Sequence, residues 1–272
     1  MFNDKLLNPF HIYNLKFIIP TMESFVKSEI KNGIGIITFF HPQSNSLPGS
    51  QLRNLAIEIE KLGKDDDAKV IVLKSEGEKA FCAGASFDEL IAIKDIETGL
   101  KFFSGFAMVI NAMRKAPKFI IARVQGKAVG GGVGIASSAD YTFAVDSASI
   151  KLSELAVGIG PFVVGPAVER KVGTSAFTQL TINATEWQTA QWAKQKGLYA
   201  EVFANIEEMD KGINTLANKL ATSNPEAMTM LKNVMWQGTE NWDTLLIERA
   251  GMSGKLVLSE FTVNAINAFK GK

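Results

Sequence analysis

AVGGGVGIASSAD, residues 128–140, sets three glycines in a row at the end of an apolar run, and a fourth, Gly134, follows two residues on. The run before it, KFIIARVQG at 118–126, has the β-branched, apolar look of a buried parallel strand. From about Gly131 onward, small apolar residues suit a close-packed helix. The stretch reads as strand, bare loop, helix. A glycine-rich loop that opens a helix presents backbone N–H groups with no intrahelical partner, and the helix dipole adds positive potential there. Glycine also lets another group come close to that backbone. Three uses stay open at this point: a phosphate cradle, an oxyanion hole, or tight helix–strand packing without chemistry. The phosphate use fits poorly. There is no GxxxxGK[ST], and the segment is not a first strand–helix turn with an acidic residue about 20 positions later.

Outward from this stretch, the chain alternates strands and helices. Residues 25–39 hold two alternating runs around Asn32-Gly33, a dipeptide suited to a tight hairpin turn. A helical spacing over 52–62 follows Pro48 and Ser50, and KVIVLKSE at 69–76 is a further buried strand. A small-residue loop covers 76–86 and a helix 97–114. After the glycines come short strands at 141–146 and 148–153. Beyond about residue 160 the pattern predicts helices at 162–172, 174–182, 185–196, 206–222, 224–237 and 241–268, with Gly173, Thr185 and Asn224-Pro225 as caps or breakers. Repeated strand–helix units with short links predict an α/β fold with parallel strands and a helical C-terminal part. No internal sequence repeat or low-complexity tract is visible.

Composition narrows the function classes. The chain has 272 residues, 46% hydrophobic, with 29 Lys+Arg against 28 Asp+Glu and a net charge of +1. Near neutrality argues against nucleic acid or an anionic membrane as the main partner. No apolar run approaches the ~20 residues of a membrane span. The single cysteine, Cys82, leaves no intrachain disulfide, which fits a cytoplasmic setting. Residues 1–21 contain two prolines and no periodicity, lack a signal-peptide h-region, and are expected to lie outside the core as an extension. No His/Cys cluster has metal-ligand spacing, so no metal is expected.

Two more segments carry chemistry. KAFCAGASFDEL, 79–90, places small residues at a strand-to-helix junction, so it too can present a free N–H. Two such loops can supply two donors to one carbonyl oxygen. KLSELAVGIGP, 151–161, sets the carboxylate of Glu154 among apolar residues. A carboxylate so placed is either a cap or ion-pair partner, or a general base whose pKa is raised by its surroundings.

Together these segments resemble the crotonase superfamily, the enoyl-CoA hydratase/isomerase family. KAFCAGASFDEL is similar to that family's KAFxAGADxxEM. VQGKAVGGGVGIASSADYTFA is similar to NGxAxGGGxExAxxCDxxxA, and SELAVGIGPFVVGPAVERKVG to PExxxGxxPxxGGxxRLxRxxG. NSL at 45–47 corresponds to NAL, and ATEWQTAQWAKQKGLYAEV to IxAxxAxxxGLVxxV. The resemblance runs over about residues 24–270. It implies a spiral core of ββα repeats over residues 22–205 and a C-terminal helical trimerisation region over 206–272. It also implies a homotrimer or a dimer of trimers. It implies an acyl-CoA thioester substrate, with no cofactor beyond that coenzyme A, whose thioester oxygen is held by the N–H groups of Ala85 and Gly131. Ala83, Ser86, Phe87, Gly130, Gly132, Gly134 and Phe162 are then expected around the substrate. Leu90, Phe102, Phe103 and Phe106 are expected to help line an acyl pocket.

One departure matters. Hydratases of the family carry a glutamate where Gly134 stands, and a second where Glu154 stands; the pair adds water across C2=C3. This chain keeps only Glu154. A single carboxyl suffices for an enoyl-CoA isomerase, which moves a 3-enoyl double bond to the 2-position. The alternatives are a hydratase that recruits a second group (Asp88 or Glu89), another hydrolase or decarboxylase of the family, or a protein that holds acyl-CoA without turnover. Gly134 is expected to enlarge the pocket or make it less polar. Cys82 is read as packing, Arg170 as an ion-pair residue, and His41 as a turn residue. Trp187, Trp192, Trp236 and Trp242 are placed on helices. Arg53, Lys270 and Lys272 are candidates for the CoA phosphates.

Overall fold

The structure, a computed structural model, describes residues 23–270, so the extension expected over 1–21 lies outside the described residues. Strand β1 (Phe25–Lys31) turns into β2 (Ile34–Phe40) through Asn32 and Gly33, whose φ values of 51° and 79° are those of a tight primed turn. Helix α1 (Gly49–Lys64) follows and buries Leu52, Leu55, Ile59 and Leu62, the stripe its spacing predicts.

From there the chain winds between two sheets. Strand β3 (Val70–Ser75) joins β2 in the larger sheet, and β4 (Ala80–Cys82) starts a smaller one. Helices α2 (Phe87–Ile91) and α3 (Ile96–Lys115) lead back to β5 (Ile120–Val124) in the larger sheet and β6 (Lys127–Val129) in the smaller. Helix α4 (Gly131–Ser138) then leads to β7 (Tyr141–Val145) and β8 (Ser149–Lys151), and a 3-10 turn at Glu154–Val157 leads to α5 (Gly165–Ile182). Each turn of this spiral adds one strand to each sheet and then a helical layer. Neighbouring strands pair in parallel, with Ile37, Leu73, Ala122 and Thr142 aligned across four of them, all buried. The structural repeat is therefore present although no sequence repeat marks it.

The C-terminal part holds β9 (Gln188–Thr189), α6 (Ala190–Gln195), β10 (Glu201–Phe203), α7 (Ile206–Ala221), α8 (Pro225–Met235), α9 (Trp242–Leu256) and α10 (Glu260–Lys270). The larger sheet runs β1-β2-β3-β5-β7-β10 and the smaller β4-β6-β8-β9. Caps appear where the sequence offers them. Asp95 and Thr98 form a capping box on α3, and the Asn205 and Asn224 side chains accept from the first turns of α7 and α8. Helix α9 lies on α3 at a glycine pair: a β-carbon on Gly99 would sit 2.9 Å from the Gly254 Cα.

The stretch after residue 160 is less uniformly helical than its pattern predicts. Residues 188–189 pair antiparallel with β8, so helix α6 begins only at Ala190, with Thr189 rather than Thr185 as its cap. Strand β10 pairs in parallel with β7. The helices expected at 162–172 and 174–182 do meet at a break at Gly173 (φ 75°) and end at Ile182, but the first starts only at Gly165. The segment 241–268 is two helices, separated where the Ser259 Oγ accepts from the Thr262 N–H. The loop expected at 76–86 contains β4. Among the described residues no helix is long and apolar enough to cross a membrane.

Candidate functional site

The glycine stretch forms the joint between β6 and α4. Gly130 adopts φ 52° and ψ −114°, a combination that glycine alone takes easily. Its N–H donates to the Lys151 carbonyl of β8 (2.9 Å), and its carbonyl accepts from Val133 (2.9 Å) and Gly134 (3.2 Å), which starts the helix. Gly131 is the first helical residue. Among the described residues its N–H has no partner. A β-carbon on Gly131 would run into the Phe106 ring, so the bare backbone also lets that ring lie over it.

The second loop leaves β4 and is tied down by the segment 44–47. The Asn45 side chain donates to the Glu76 and Ala80 carbonyls (2.8 and 2.9 Å), Ala83 donates to the Ser44 carbonyl, and Leu47 donates to the Gly84 carbonyl. Ser86 donates back to the Leu47 carbonyl. Between those last two bonds the N–H of Ala85 is left without a partner among the described residues. The loops abut, since a β-carbon on Gly84 would lie 3.7 Å from the Gly131 nitrogen.

Glu154 opens the 3-10 turn that follows β8. Its Oε1 lies 2.9 Å from the point where a Gly130 β-carbon would stand. Its Oε2 is sealed from solvent and has no hydrogen-bond partner among the described residues. Burial among apolar groups disfavours the ionised form and pushes the carboxyl up to about 7.

These groups face one cavity of about 200 Å3. Ala83, Ala85, Gly130, Gly131 and Glu154 form its polar end. Phe87, Leu90, Phe102, Phe103, Phe106 and Phe162 form an apolar wall, with Phe102 and Phe103 edge to face at 5.0 Å. Such a site can hold an oxygen that gains negative charge, on two N–H donors and a helix N-terminus. A carboxyl titrating near neutrality beside it can both take and return a proton.

Three residues expected around the substrate stand behind the wall instead. Ser86 is buried and caps α2, its Oγ accepting from the Glu89 N–H. Gly132 packs against the Cys82 carbonyl, where a β-carbon has no room. Gly134 leaves no extra space: Val164 fills it, with Cγ1 2.5 Å and Cβ 2.7 Å from the position a Gly134 β-carbon would take. The expected enlargement of the pocket is therefore absent, and the expected loss of polarity is a valine.

The other candidates lie elsewhere. Asp88 accepts from the Gln43 side chain (3.0 Å) and Glu89 from the Gly49 N–H (2.8 Å); neither lines the cavity. The Cys82 thiol is buried and pushed up to about 12 by desolvation, as a packing residue is. Among the described residues Arg170 meets no carboxylate within ion-pair distance; it donates to the Met235 carbonyl and stacks on Trp236 at 4.4 Å. Trp236 and Trp242 pack edge to face in the core, while Trp187 precedes β9 in extended chain rather than on a helix, flanked by Lys127 and Lys151. Arg53 lines a separate surface hollow. Lys270 ends α10, and Lys272 lies outside the described residues. Among the described residues no three His, Cys, Asp or Glu side chains are grouped to hold a metal ion.

Ser153, Val164 and Ser253 also line the cavity and were not singled out in the sequence. Ser153 is adjacent to Glu154 and was within reach. Ser253 arrives from α9, placed there by the contact of its neighbour Gly254 with Gly99, and no local signal marks it.

A family model described as Enoyl-CoA hydratase/isomerase matches residues 29–264. The chain is 29% identical to a short-chain-enoyl-CoA hydratase of Clostridium acetobutylicum, over 89% of this chain and 92% of that protein. It is 27% identical to the peroxisomal Delta(3,5)-Delta(2,4)-dienoyl-CoA isomerase of Arabidopsis thaliana, over 81% of this chain and 85% of that protein. Its fold matches the crystal structure of an enoyl-CoA hydratase from Bacillus halodurans with a TM-score of 0.83 at 19% identity, covering 90% of this chain and all of that one.

Proposed function

Because the chain belongs to the enoyl-CoA hydratase/isomerase family, we propose that it is an enoyl-CoA isomerase with Glu154 as its one acid and base. The observation that carries this reading is a buried carboxyl, its Oε2 without a partner among the described residues, beside two N–H groups that also lack one there, in a mostly apolar cavity. A 3-enoyl thioester enters with its carbonyl oxygen on the Ala85 and Gly131 N–H groups and its acyl chain among the phenylalanines. The Glu154 carboxylate takes a proton from C2. The C2–H electrons move into a dienolate whose oxygen is held by the two donors. The same carboxyl, now protonated, returns the proton to C4; the C3=C4 electrons form the new C–H bond, the C1=C2 electrons move to make C2=C3, and the thioester C=O is restored. The positive end of α4 stabilises the dienolate, and each such donor is worth about 3–4 kcal/mol of barrier.

The test is a medium-chain 3-enoyl-CoA with products resolved by mass and by ultraviolet absorbance. A conjugated 2-enoyl product of unchanged mass is expected. A product heavier by one water would overturn the reading.

The pH dependence separates one carboxyl from two. Glu154 must be ionised to start the reaction, and its folded pKa is raised to about 7. The kcat/KM is expected to rise through a single ionisation near pH 7 and then to level off, because no second acid is consumed. A bell-shaped profile, falling again in the neutral range, would point to a second titrating partner.

A further inference from the structure

Resting on the isomerase reading, we propose that Val164 decides the reaction outcome by occupying the space in which a side chain at 134 would hold a water. Val164 is the residue before α5, and Gly134 lies in the first turns of α4. The valine Cγ1 and Cβ stand 2.5 and 2.7 Å from a β-carbon built on Gly134. Val164 lines the cavity and Gly134 does not, so the isopropyl group stands between the α4 backbone and the substrate space. A buried water is commonly held by about three hydrogen bonds. Among the described residues the polar side chains lining the cavity are Ser153, Glu154 and Ser253, and Val157, Val163 and Val164 belong to its apolar lining. In the space beside Gly134 the Val164 isopropyl group offers a water no hydrogen-bond partner. Glu154 faces hydrocarbon and carries a proton from one substrate carbon to another.

The pairing makes a steric and a chemical prediction that fail separately. Gly134→Glu alone is expected to lower Tm by about 5 °C or more, because the new side chain is forced into Val164. The double variant Gly134→Glu/Val164→Gly regains most of that loss. With a 2-enoyl-CoA, the double variant is also expected to raise the ratio of hydration to isomerisation by about tenfold or more, the scale on which small changes of pocket shape discriminate. In D2O, Val164→Ala is expected to increase deuterium at C4 of the isomerised product, since water then reaches the protonated Glu154. If Gly134→Glu is tolerated beside Val164, or the double variant recovers no stability, the steric pairing is wrong. If stability recovers but neither the hydration ratio nor the deuterium content moves, Val164 does not govern water. If the native protein isomerises nothing while the stability cycle holds, the isomerase reading has failed and the packing pair has not.

Discussion

Glu154→Gln is expected to lower kcat for 3-enoyl-CoA isomerisation by the upper part of the ~10²–10⁴-fold range that a positioned acid–base group supplies. The upper part is expected because one carboxyl performs both proton transfers and, among the described residues, no other titratable side chain lines the cavity. Glutamine keeps the shape but can neither take the C2 proton nor return it. The same substitution should stabilise the protein at high pH. The folded pKa of Glu154 is raised to about 7 from an ordinary 4.5. Between those values the unfolded chain has released the proton and the folded chain retains it, so stability falls as pH rises and the full penalty is present above about pH 7. A shift of that size corresponds to a penalty on the order of 3 kcal/mol. Below about pH 4.5 both states are protonated and the penalty vanishes. Thermal unfolding of both proteins from pH 4 to pH 9 is expected to show the curves diverging with pH, the variant being the more stable. Retained activity in Glu154→Gln would remove Glu154 from the mechanism. Coincident stability curves would show that the carboxyl is not held in an apolar setting.

Much of the fold is local and so could be read locally. The Asn32-Gly33 turn, the apolar runs of β3 and β5, and the stripe on α1 each follow from a short window of residues. The strands β9 and β10 are two and three residues long and exist because β8 and β7 offer free edges, which no window of their own reveals. The site divides the same way. The two loops and Glu154 could be found because each sits at a strand end with an unusual composition. Gly134 was visible as a missing side chain, and its consequence was not. PFVVG shows a valine at 164, but only the packing of α4 against α5 brings that valine over a residue thirty positions earlier.

Gly130→Ala is the second large effect, and it separates the shape of the backbone from its chemistry. The native φ of 52° with ψ −114° is strained for any side chain, at a cost on the order of 1–3 kcal/mol. The added methyl would also sit 2.9 Å from Glu154 Oε1 and 3.4 Å from its carboxyl carbon, so the carboxylate must shift from its native position. Gly130 further joins the Lys151 carbonyl of β8 to the first turn of α4, so any relief by the backbone turns the Gly131 N–H as well. Base and oxyanion donor are both displaced by one methyl group. A fall in kcat of about 10²-fold or more is expected, the scale of losing one oxyanion donor, together with a lower Tm. Gly238→Ala is the control: its φ of 82° is also positive, yet a β-carbon there meets nothing within 4 Å and the residue lies outside the cavity. That variant should lose stability and keep its kcat. If Gly130→Ala behaves like Gly238→Ala, the contact between Gly130 and Glu154 has no part in catalysis. If it loses kcat far beyond its loss of stability, the bare backbone at 130 is there to let a carboxylate stand against an oxyanion hole.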